Sequence, residues 1–170
     1  MDYKKVAVFG AGAIGTGIAQ ELSTASMDAV LLDIKAEFVE NGLNKIRGKF
    51  ESDIKKGKLA PEEKDRIIGR IKGSIDQKNV KDVDLVIEAI IEDAKIKSDL
   101  FGKLNSICQA GTVFATNTST LSVTELPTLS CRTGRFLGLH FFNPVPTMKL
   151  VKVIPGLDTS RNVLNDPSCQ

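Results

Sequence analysis

The sequence is poor in cysteine, in net charge and in long apolar runs, and each shortage excludes a class of protein. Its three cysteines are an odd number without a CxxC pair, so we expect no disulfide framework and no metal site, but reduced thiols in a cytoplasmic protein. No apolar run approaches the roughly 18 residues of a membrane-spanning helix, and the opening MDYKKVAVFGAG leaves no space for a signal peptide. A formal net charge of +2 is too small for a polycationic nucleic-acid binder. We therefore expect neither a nucleic acid nor a membrane as partner.

The 170 residues, 42% of them hydrophobic and 26% charged, have the composition of one globular domain with at most a small appendage. Short apolar runs alternate with amphipathic stretches, which predicts a Rossmann-type α/β fold with a doubly wound, mostly parallel sheet. The predicted strands are residues 6–9, 29–32, 71–75, 84–89, 112–116, 136–142 and 150–154. The predicted helices are residues 14–26, 37–57, a shorter one from residue 61, one across 96–107, and a short one that starts at Ser122 and ends near Pro127.

The alternating pattern occupies residues 1–156, which we assign to the domain. Beyond it the composition changes, because residues 157–170 are mostly polar and hold a lone Val163-Leu164 pair and Pro167. Such a segment has little apolar surface to bury, so we expect a polar tail that is a candidate for disorder.

A glycine-rich turn, GAGAIG, follows the first predicted strand and begins the first predicted helix. In a dinucleotide-binding turn, Gly10 permits the tight bend, Gly12 lets the backbone approach a pyrophosphate, and Gly15 lets helix and strand pack closely. Ala13 and Ile14 belong to the helix N-terminus, whose free N–H groups and positive dipole end suit phosphates. Glycines at this spacing also occur in ordinary turns. Here a predicted strand precedes them and a predicted helix follows, which favours a dinucleotide-binding turn.

An acidic residue ends the second predicted strand. Asp33 lies 18 residues after Gly15, close to the spacing at which a carboxylate accepts hydrogen bonds from the adenosine ribose. This carboxylate would repel a 2′-phosphate, and no arginine follows it immediately. The pattern therefore predicts that the cofactor is NAD rather than NADP.

Three further strings resemble a known family. They are IEAIIED at residues 87–93, TNTS at 116–119 and HFFNPVP at 140–146. With them, residues 4–156 resemble the NAD-binding domain of the 3-hydroxyacyl-CoA dehydrogenases, and most of all the bacterial 3-hydroxybutyryl-CoA dehydrogenases. The resemblance implies an oxidoreductase of fatty acid and butanoate metabolism that moves a hydride between C3 of a 3-hydroxyacyl-CoA, or its 3-oxoacyl-CoA product, and NAD.

The resemblance also implies a role for individual residues. His140, the one histidine of the chain, would be the general acid/base, for which the ordinary pKa of an imidazole is suited. Ser119 would donate a hydrogen bond to the C3 oxygen of the substrate and lie beside the cofactor. The other cofactor contacts implied are Glu92 and Lys97 on the nicotinamide ribose side, Asn117 and Asn143 at the nicotinamide end, and the backbone of Ala89 at the strand edge.

Each of these residue types also has an ordinary structural role. A histidine at a strand end is commonly a hydrogen-bonded structural residue, a serine there is commonly a cap, and charges such as Glu92 and Lys97 are common in the first turn of a helix. Lys49, Lys55 and Lys56 could contact the phosphates of CoA or lie on a solvated helix face.

One position departs from the family pattern. The family continues after HFFNPVP as MKLVE, where the glutamate is the partner of the catalytic histidine, whereas this chain has Lys152. A carboxylate beside an imidazole fixes its tautomer and stabilises the imidazolium, and a lysine does neither. Losing such a partner is expected to cost several kcal/mol of transition-state stabilisation.

The ending is a second departure. Family members continue into a helical domain that closes the acyl site, forms the dimer and supplies an asparagine to the site, and we find no counterpart of it in this sequence. Residues 162–170 do not match the helix expected next. A separate helical domain is therefore a candidate partner, beside the acyl-CoA substrate.

Three hypotheses follow for function. The first is the cofactor domain of an NAD-dependent 3-hydroxyacyl-CoA dehydrogenase. The second is a catalytically silent NAD-binding module, which Lys152 and the missing helical domain favour. The third is a dehydrogenase of small 3-hydroxy acids that uses a catalytic lysine, here Lys149 or Lys152, and the HFFNPVP string argues against it.

Overall fold

A central sheet organises the chain, whose computed structural model describes residues 3–129 and 132–164. Within these residues the sheet has seven strands in the order β3-β2-β1-β4-β5-β6-β7, parallel except for β7, which pairs antiparallel with β6. The strands are β1 Lys5–Phe9, β2 Asp28–Leu32, β3 Ile71–Ser74, β4 Leu85–Glu88, β5 Val113–Thr116, β6 Phe136–Phe141 and β7 Val151–Pro155.

Helices cover both faces of the sheet, as the strand-helix alternation predicts. They are α1 Ala13–Thr24, α2 Ala36–Lys55, α3 Pro61–Ile68, α4 Ala94–Ile107 and α5 Arg161–Leu164. Ile18 of α1 and Ile46 of α2 lie in one apolar cluster, and Phe101 of α4 lies in the other. Because successive strand residues point to opposite faces, each buried strand contributes to both clusters. This doubly wound arrangement confirms the predicted fold class.

Two local predictions need correction. The first helix ends at Thr24, two residues early, because Ser26 adopts a left-handed conformation with φ of 69° that a helix cannot include. At Ser122 there is a turn rather than a helix: the Ser122 hydroxyl accepts a hydrogen bond from the Glu125 N–H at 3.3 Å. The helical segment is a 3₁₀-helix at Leu126–Leu129, which includes Pro127 since its missing N–H is not needed in a first turn.

Part of the predicted tail packs on the domain. The Thr159 hydroxyl donates to the carbonyl of Phe136 at 2.6 Å, and the Ser160 N–H donates to the carbonyl of Gly134 at 3.0 Å. Val163 of α5 is only 2% exposed and joins the cluster under α1 and α2. Residues 157–164 are thus attached to the domain, while residues 165–170 lie outside the described chain and the domain boundary stays a prediction.

Cys108, at the end of α4, is a free and buried thiol. Burial raises its pKa to about 11, with a small opposing effect from the charge of Arg132. The thiolate is the reactive form of cysteine, so Cys108 is a packing residue at neutral pH. Cys131 and Cys169 lie outside the described residues.

Candidate functional site

The predicted site residues gather at one edge of the sheet. β1, β4, β5 and β6 run parallel, so the turns that follow them share an edge. In this edge, β1 lies between β2 and β4, and the chain winds in opposite directions on the two sides. Ligands of open α/β sheets bind at such a switch point.

The three motif glycines have different surroundings. Gly10 has φ of 101°, and a Cβ there would overlap with the carbonyl of Ala89, which directly follows β4. A Cβ on Gly15 would overlap with the carbonyl of Gly10. By contrast, a Cβ on Gly12 would have no atom within 4 Å. Gly10 and Gly15 are therefore required by the fold itself, whereas Gly12 borders open space at the N-terminus of α1.

Helix α1 also packs on the segment that follows β6. A Cβ on Gly17 would lie 2.8 Å from the Cβ of Val145, a buried residue of the HFFNPVP string. The second turn of α1 is thus in contact with the loop that carries Asn143, which is exposed at the same edge.

Asp33 is held in place by backbone donors. The Ala11 N–H donates to its Oδ2 at 2.7 Å, and the Ile34 N–H donates to its Oδ1 at 2.7 Å. The carboxylate borders a cavity of about 280 Å³ with an apolar wall. Residues lining that wall include Leu32, Ile34, Ile75, Ile90 and Ile96. The flat face of an aromatic base such as adenine can pack against such a wall, and a carboxylate like that of Asp33 can accept hydrogen bonds from ribose hydroxyls, so the residues present suit NAD.

Ser119 and His140 form a hydrogen-bonded pair. The Ser119 Oγ lies 2.9 Å from the His140 Nε2, although the two residues are 21 positions apart in sequence. The ring of His140 also packs edge-on against Phe142, with centroids 4.8 Å apart. The structure therefore brings together the two residues that the family resemblance assigns to catalysis.

Lys152 lies directly opposite His140 in the β6–β7 ladder. Opposite residues of an antiparallel pair point to the same face with Cβ atoms about 4.5–5.5 Å apart. Lys152 is exposed, so its ammonium can reach solvent while its alkyl stem lies along the strand.

Glu92 binds the loop that contains Ser119. Its Oε1 accepts hydrogen bonds from the Thr118 hydroxyl, from the Ser119 N–H at 3.2 Å, and from the N–H and hydroxyl of Thr120 at 3.4 and 3.2 Å. Burial raises the pKa of Glu92, but the Thr118 hydrogen bond and the Lys97 charge outweigh burial and hold the pKa below its ordinary value. Glu92 is therefore an anion at neutral pH.

Lys97 is completely buried and does not line the open edge. Its Nζ lies 2.6 Å from Glu88 Oε1 and 3.2 Å from Glu92 Oε2. Glu88 was not predicted as a site residue, although an acid at the end of an apolar strand is a signal in the sequence that points to it. Asn117 also has a structural partner, since its Oδ1 accepts a hydrogen bond from the Phe141 N–H at 2.9 Å.

The three lysines considered for the phosphates of CoA lie on the surface. Lys49 pairs with Asp53 on α2, and Lys55 and Lys56 are exposed. In residues 3–129 and 132–164 no three His, Cys, Asp or Glu side chains are arranged to hold a metal ion. No helix in the described part of the chain is both long and apolar enough to cross a bilayer.

Comparison with known proteins gives a consistent result. Residues 5–168 match the family model of the 3-hydroxyacyl-CoA dehydrogenase NAD-binding domain. The probable 3-hydroxybutyryl-CoA dehydrogenase of Deinococcus radiodurans is 44% identical over 158 residues, which are 92% of this chain and 56% of that protein. The protein of the same description from Bacillus subtilis is 40% identical over 98% of this chain and 58% of its own length.

Solved structures agree. The (S)-3-hydroxybutyryl-CoA dehydrogenase of Ralstonia eutropha superposes with a TM-score of 0.92 at 37% identity, covering 95% of this chain and 57% of that one. The 3-hydroxybutyryl-CoA dehydrogenase of Escherichia coli superposes with a TM-score of 0.94 at 36% identity, covering 96% of this chain and 35% of that one. The chain thus spans little more than half the length of the curated bacterial relatives described here.

Proposed function

Because the chain belongs to the 3-hydroxyacyl-CoA dehydrogenase family, of which it contains the NAD-binding domain, we propose that it oxidises and reduces C3 of an acyl-CoA with His140 as general acid/base. The observation that carries this proposal is the Ser119–His140 pair at 2.9 Å, at the sheet edge where the glycine-rich turn lies. The names of the relatives point to a 3-hydroxybutyryl-CoA substrate.

His140 and Ser119 have different roles at this edge: His140 transfers the proton, and Ser119 stabilises the developing charge. An oxygen about 3 Å from both Ser119 and His140 can receive a hydrogen bond from each. In the reducing direction, His140 gives its proton to the C3 oxygen, and the Ser119 hydroxyl stabilises the charge that develops on that oxygen. In the oxidising direction, His140 removes the hydroxyl proton. When bound, NAD supplies the hydride chemistry at its nicotinamide ring.

The family resemblance and the position of these residues at the sheet edge support a set of cofactor contacts. Gly12, Ala13 and Ile14 offer backbone to the pyrophosphate, while Asp33 accepts hydrogen bonds from the ribose. Glu92, Asn117 and Asn143 would contact the nicotinamide half, with Ala89 as backbone. Lys97 is enclosed, so we propose that it contributes to this half of the site through Glu92.

A direct test compares the chain with His140→Gln. We expect NADH oxidation that depends on acetoacetyl-CoA, followed at 340 nm, to fall by about 10²–10⁴-fold in the variant, because general acid–base catalysis contributes this much. The NADH dissociation constant, from cofactor fluorescence, should change by less than about threefold, since His140 is not a phosphate or adenosine contact. Equal rates for the two proteins would refute the role of His140.

Cofactor choice is tested at Asp33. Asp33→Ala is expected to weaken NADH binding by about 10–100-fold, because charge-assisted hydrogen bonds contribute about 1.5–3 kcal/mol, and to bring the NADPH and NADH affinities together. Asp28→Ala is the control, since it removes the same charge from the other end of β2, where Asp28 pairs with Arg70. If the unaltered chain binds NADPH as tightly as NADH, the role of Asp33 is wrong.

A catalytically silent NAD-binding module is the second candidate. The position of Lys152 opposite His140 favours it, because this lysine occupies the place of the carboxylate that the family places there. NADH binding without turnover in the unaltered chain, and turnover in a variant that restores the carboxylate, would support it.

A further inference from the structure

Glu88 is the most deeply enclosed carboxylate of the site edge. It ends β4, opposite Phe9 of β1 and Thr116 of β5, and it is fully buried. Its Oε1 accepts hydrogen bonds from Lys97 Nζ at 2.6 Å and from the Ile90 N–H at 2.7 Å. Its Oε2 accepts one from the Thr116 hydroxyl at 2.6 Å. One side chain thus connects β4, β5, α4 and the loop after β4.

Resting on the proposed function, we infer that Glu88 is a positioning residue: it holds Lys97 against Glu92, and thereby holds Ser119 at His140. No contact joins Glu88 to Ser119 directly. The connection runs through two charged side chains. Lys97 lies in the first turn of α4, and Glu92 lies in the loop that precedes this helix.

The first step is the pair of contacts made by Lys97. Its ammonium lies between Glu88 Oε1 at 2.6 Å and Glu92 Oε2 at 3.2 Å. Lys97 is buried, so water cannot replace either partner. Without Glu88, the ammonium would lose its shorter contact and would have to move toward Glu92, its other partner.

The second step is the loop that Glu92 binds. Glu92 lies in residues 89–93, which form neither helix nor strand, so its position depends on its contacts. Its Oε2 faces Lys97, while its Oε1 receives the donors from Thr118, Ser119 and Thr120. A displacement of Glu92 therefore changes where Ser119 presents its hydroxyl to His140.

Stability alone does not account for this buried pair. Taking two charges out of water is costly, and apolar residues of similar volume are often as stable or more so. Burial raises the pKa of Glu88, while the charge and hydrogen bond of Lys97 oppose that rise. A well-partnered pair at the switch point of the sheet instead provides a fixed orientation for Lys97.

The chain offers a specific probe, because His140 is its one histidine. In ¹⁵N NMR spectra of the untagged, ligand-free protein, the Nε2 shift reports the hydrogen bond with Ser119. Ser119→Ala gives the reference for its loss. We expect Glu88→Gln to shift the Nε2 signal toward that reference, and Thr116→Val, which removes a hydrogen bond to Glu88 but none to Lys97, to leave it unchanged.

A double variant separates positioning from folding. Glu88→Gln combined with Lys97→Met leaves no unpaired buried charge, so it should recover most of the thermal stability that Glu88→Gln loses. In the double variant, the His140 Nε2 signal should still resemble that of Ser119→Ala. The NADH affinity of the double variant should be about tenfold below that of the unaltered chain. The double variant should weaken NADH binding no more than Lys97→Met alone, because Glu88 acts through Lys97.

Two results would overturn the inference. One is an unchanged Nε2 signal in Glu88→Gln or, should that variant not fold, in the double variant. The other is recovery of the Nε2 signal in the double variant in parallel with its stability. The NMR measurement needs neither cofactor nor turnover, so a chain without acyl-CoA activity would count against the proposed function and not against this inference.

Discussion

Replacing Lys152 by glutamate is expected to raise the rate of acetoacetyl-CoA reduction by about 100-fold or more, since disturbing the acidic partner of a catalytic histidine costs up to about 10⁴-fold in rate. The physical reason is the β6–β7 register, in which residue 152 is the direct cross-strand neighbour of His140. Ser119 contacts the Nε2 of the imidazole, so a carboxylate introduced on β7 would accept its hydrogen bond from the other ring nitrogen, Nδ1. That hydrogen bond would fix the tautomer and stabilise the imidazolium.

The measurement is the steady-state rate at saturating NADH and acetoacetyl-CoA for the chain and the variant. Lys149→Glu is the matched control, because it makes the same change of charge three residues away, near Glu21, without facing His140. A similar increase in both variants would show a general charge effect. A rate in the unaltered chain that is typical of dehydrogenases and is not increased by Lys152→Glu would contradict both this prediction and the silent-module hypothesis.

Gly12→Ala and Gly15→Ala are expected to separate cofactor binding from folding. Gly12→Ala should weaken NADH binding by about 10–100-fold, because its methyl group would project into the open space where we propose that the pyrophosphate binds, and an overpacked contact costs about 1–3 kcal/mol. Its thermal midpoint should be unchanged, since Gly12 has an ordinary φ of −72° and its new Cβ would meet no protein atom within 4 Å. Gly15→Ala should lose both thermal stability and NADH binding, because its Cβ would overlap with the backbone of Gly10.

Gly48→Ala is the control for the glycine variants. A Cβ at this position of α2 meets nothing within 4 Å, so the variant should be slightly more stable, by up to about 1 kcal/mol, and should bind NADH normally. Differential scanning calorimetry and NADH fluorescence titration measure the two properties separately. Unimpaired NADH binding by Gly12→Ala would show that the pyrophosphate does not approach this glycine.

Local sequence patterns predicted the fold and the cofactor half of the site. Alternating apolar runs are a property of neighbouring residues, so they predicted the strands and the doubly wound sheet. The roles of Gly10 and Gly15 depend on a turn of six residues, and Asp33 ends the next strand, so both were accessible without tertiary information. The ends of elements were less predictable, as at Ser26 and Ser122, because a single backbone conformation or a turn determines them.

The arrangement of Ser119, His140 and Lys152 depends on contacts between distant parts of the chain. The resemblance named Ser119 and His140, but only the order of β5 and β6 decides that they meet. The register of β6 and β7 decides that Lys152 faces His140. Nothing in the sequence pattern predicts that Glu88 and Lys97 are in contact. They form a buried ion pair because β4 and α4 pack against each other and place the two side chains together. By itself the sequence determined the fold class and the cofactor, NAD, whose signals are short-range, whereas the contacts between distant polar residues were decided by strand order, register and burial.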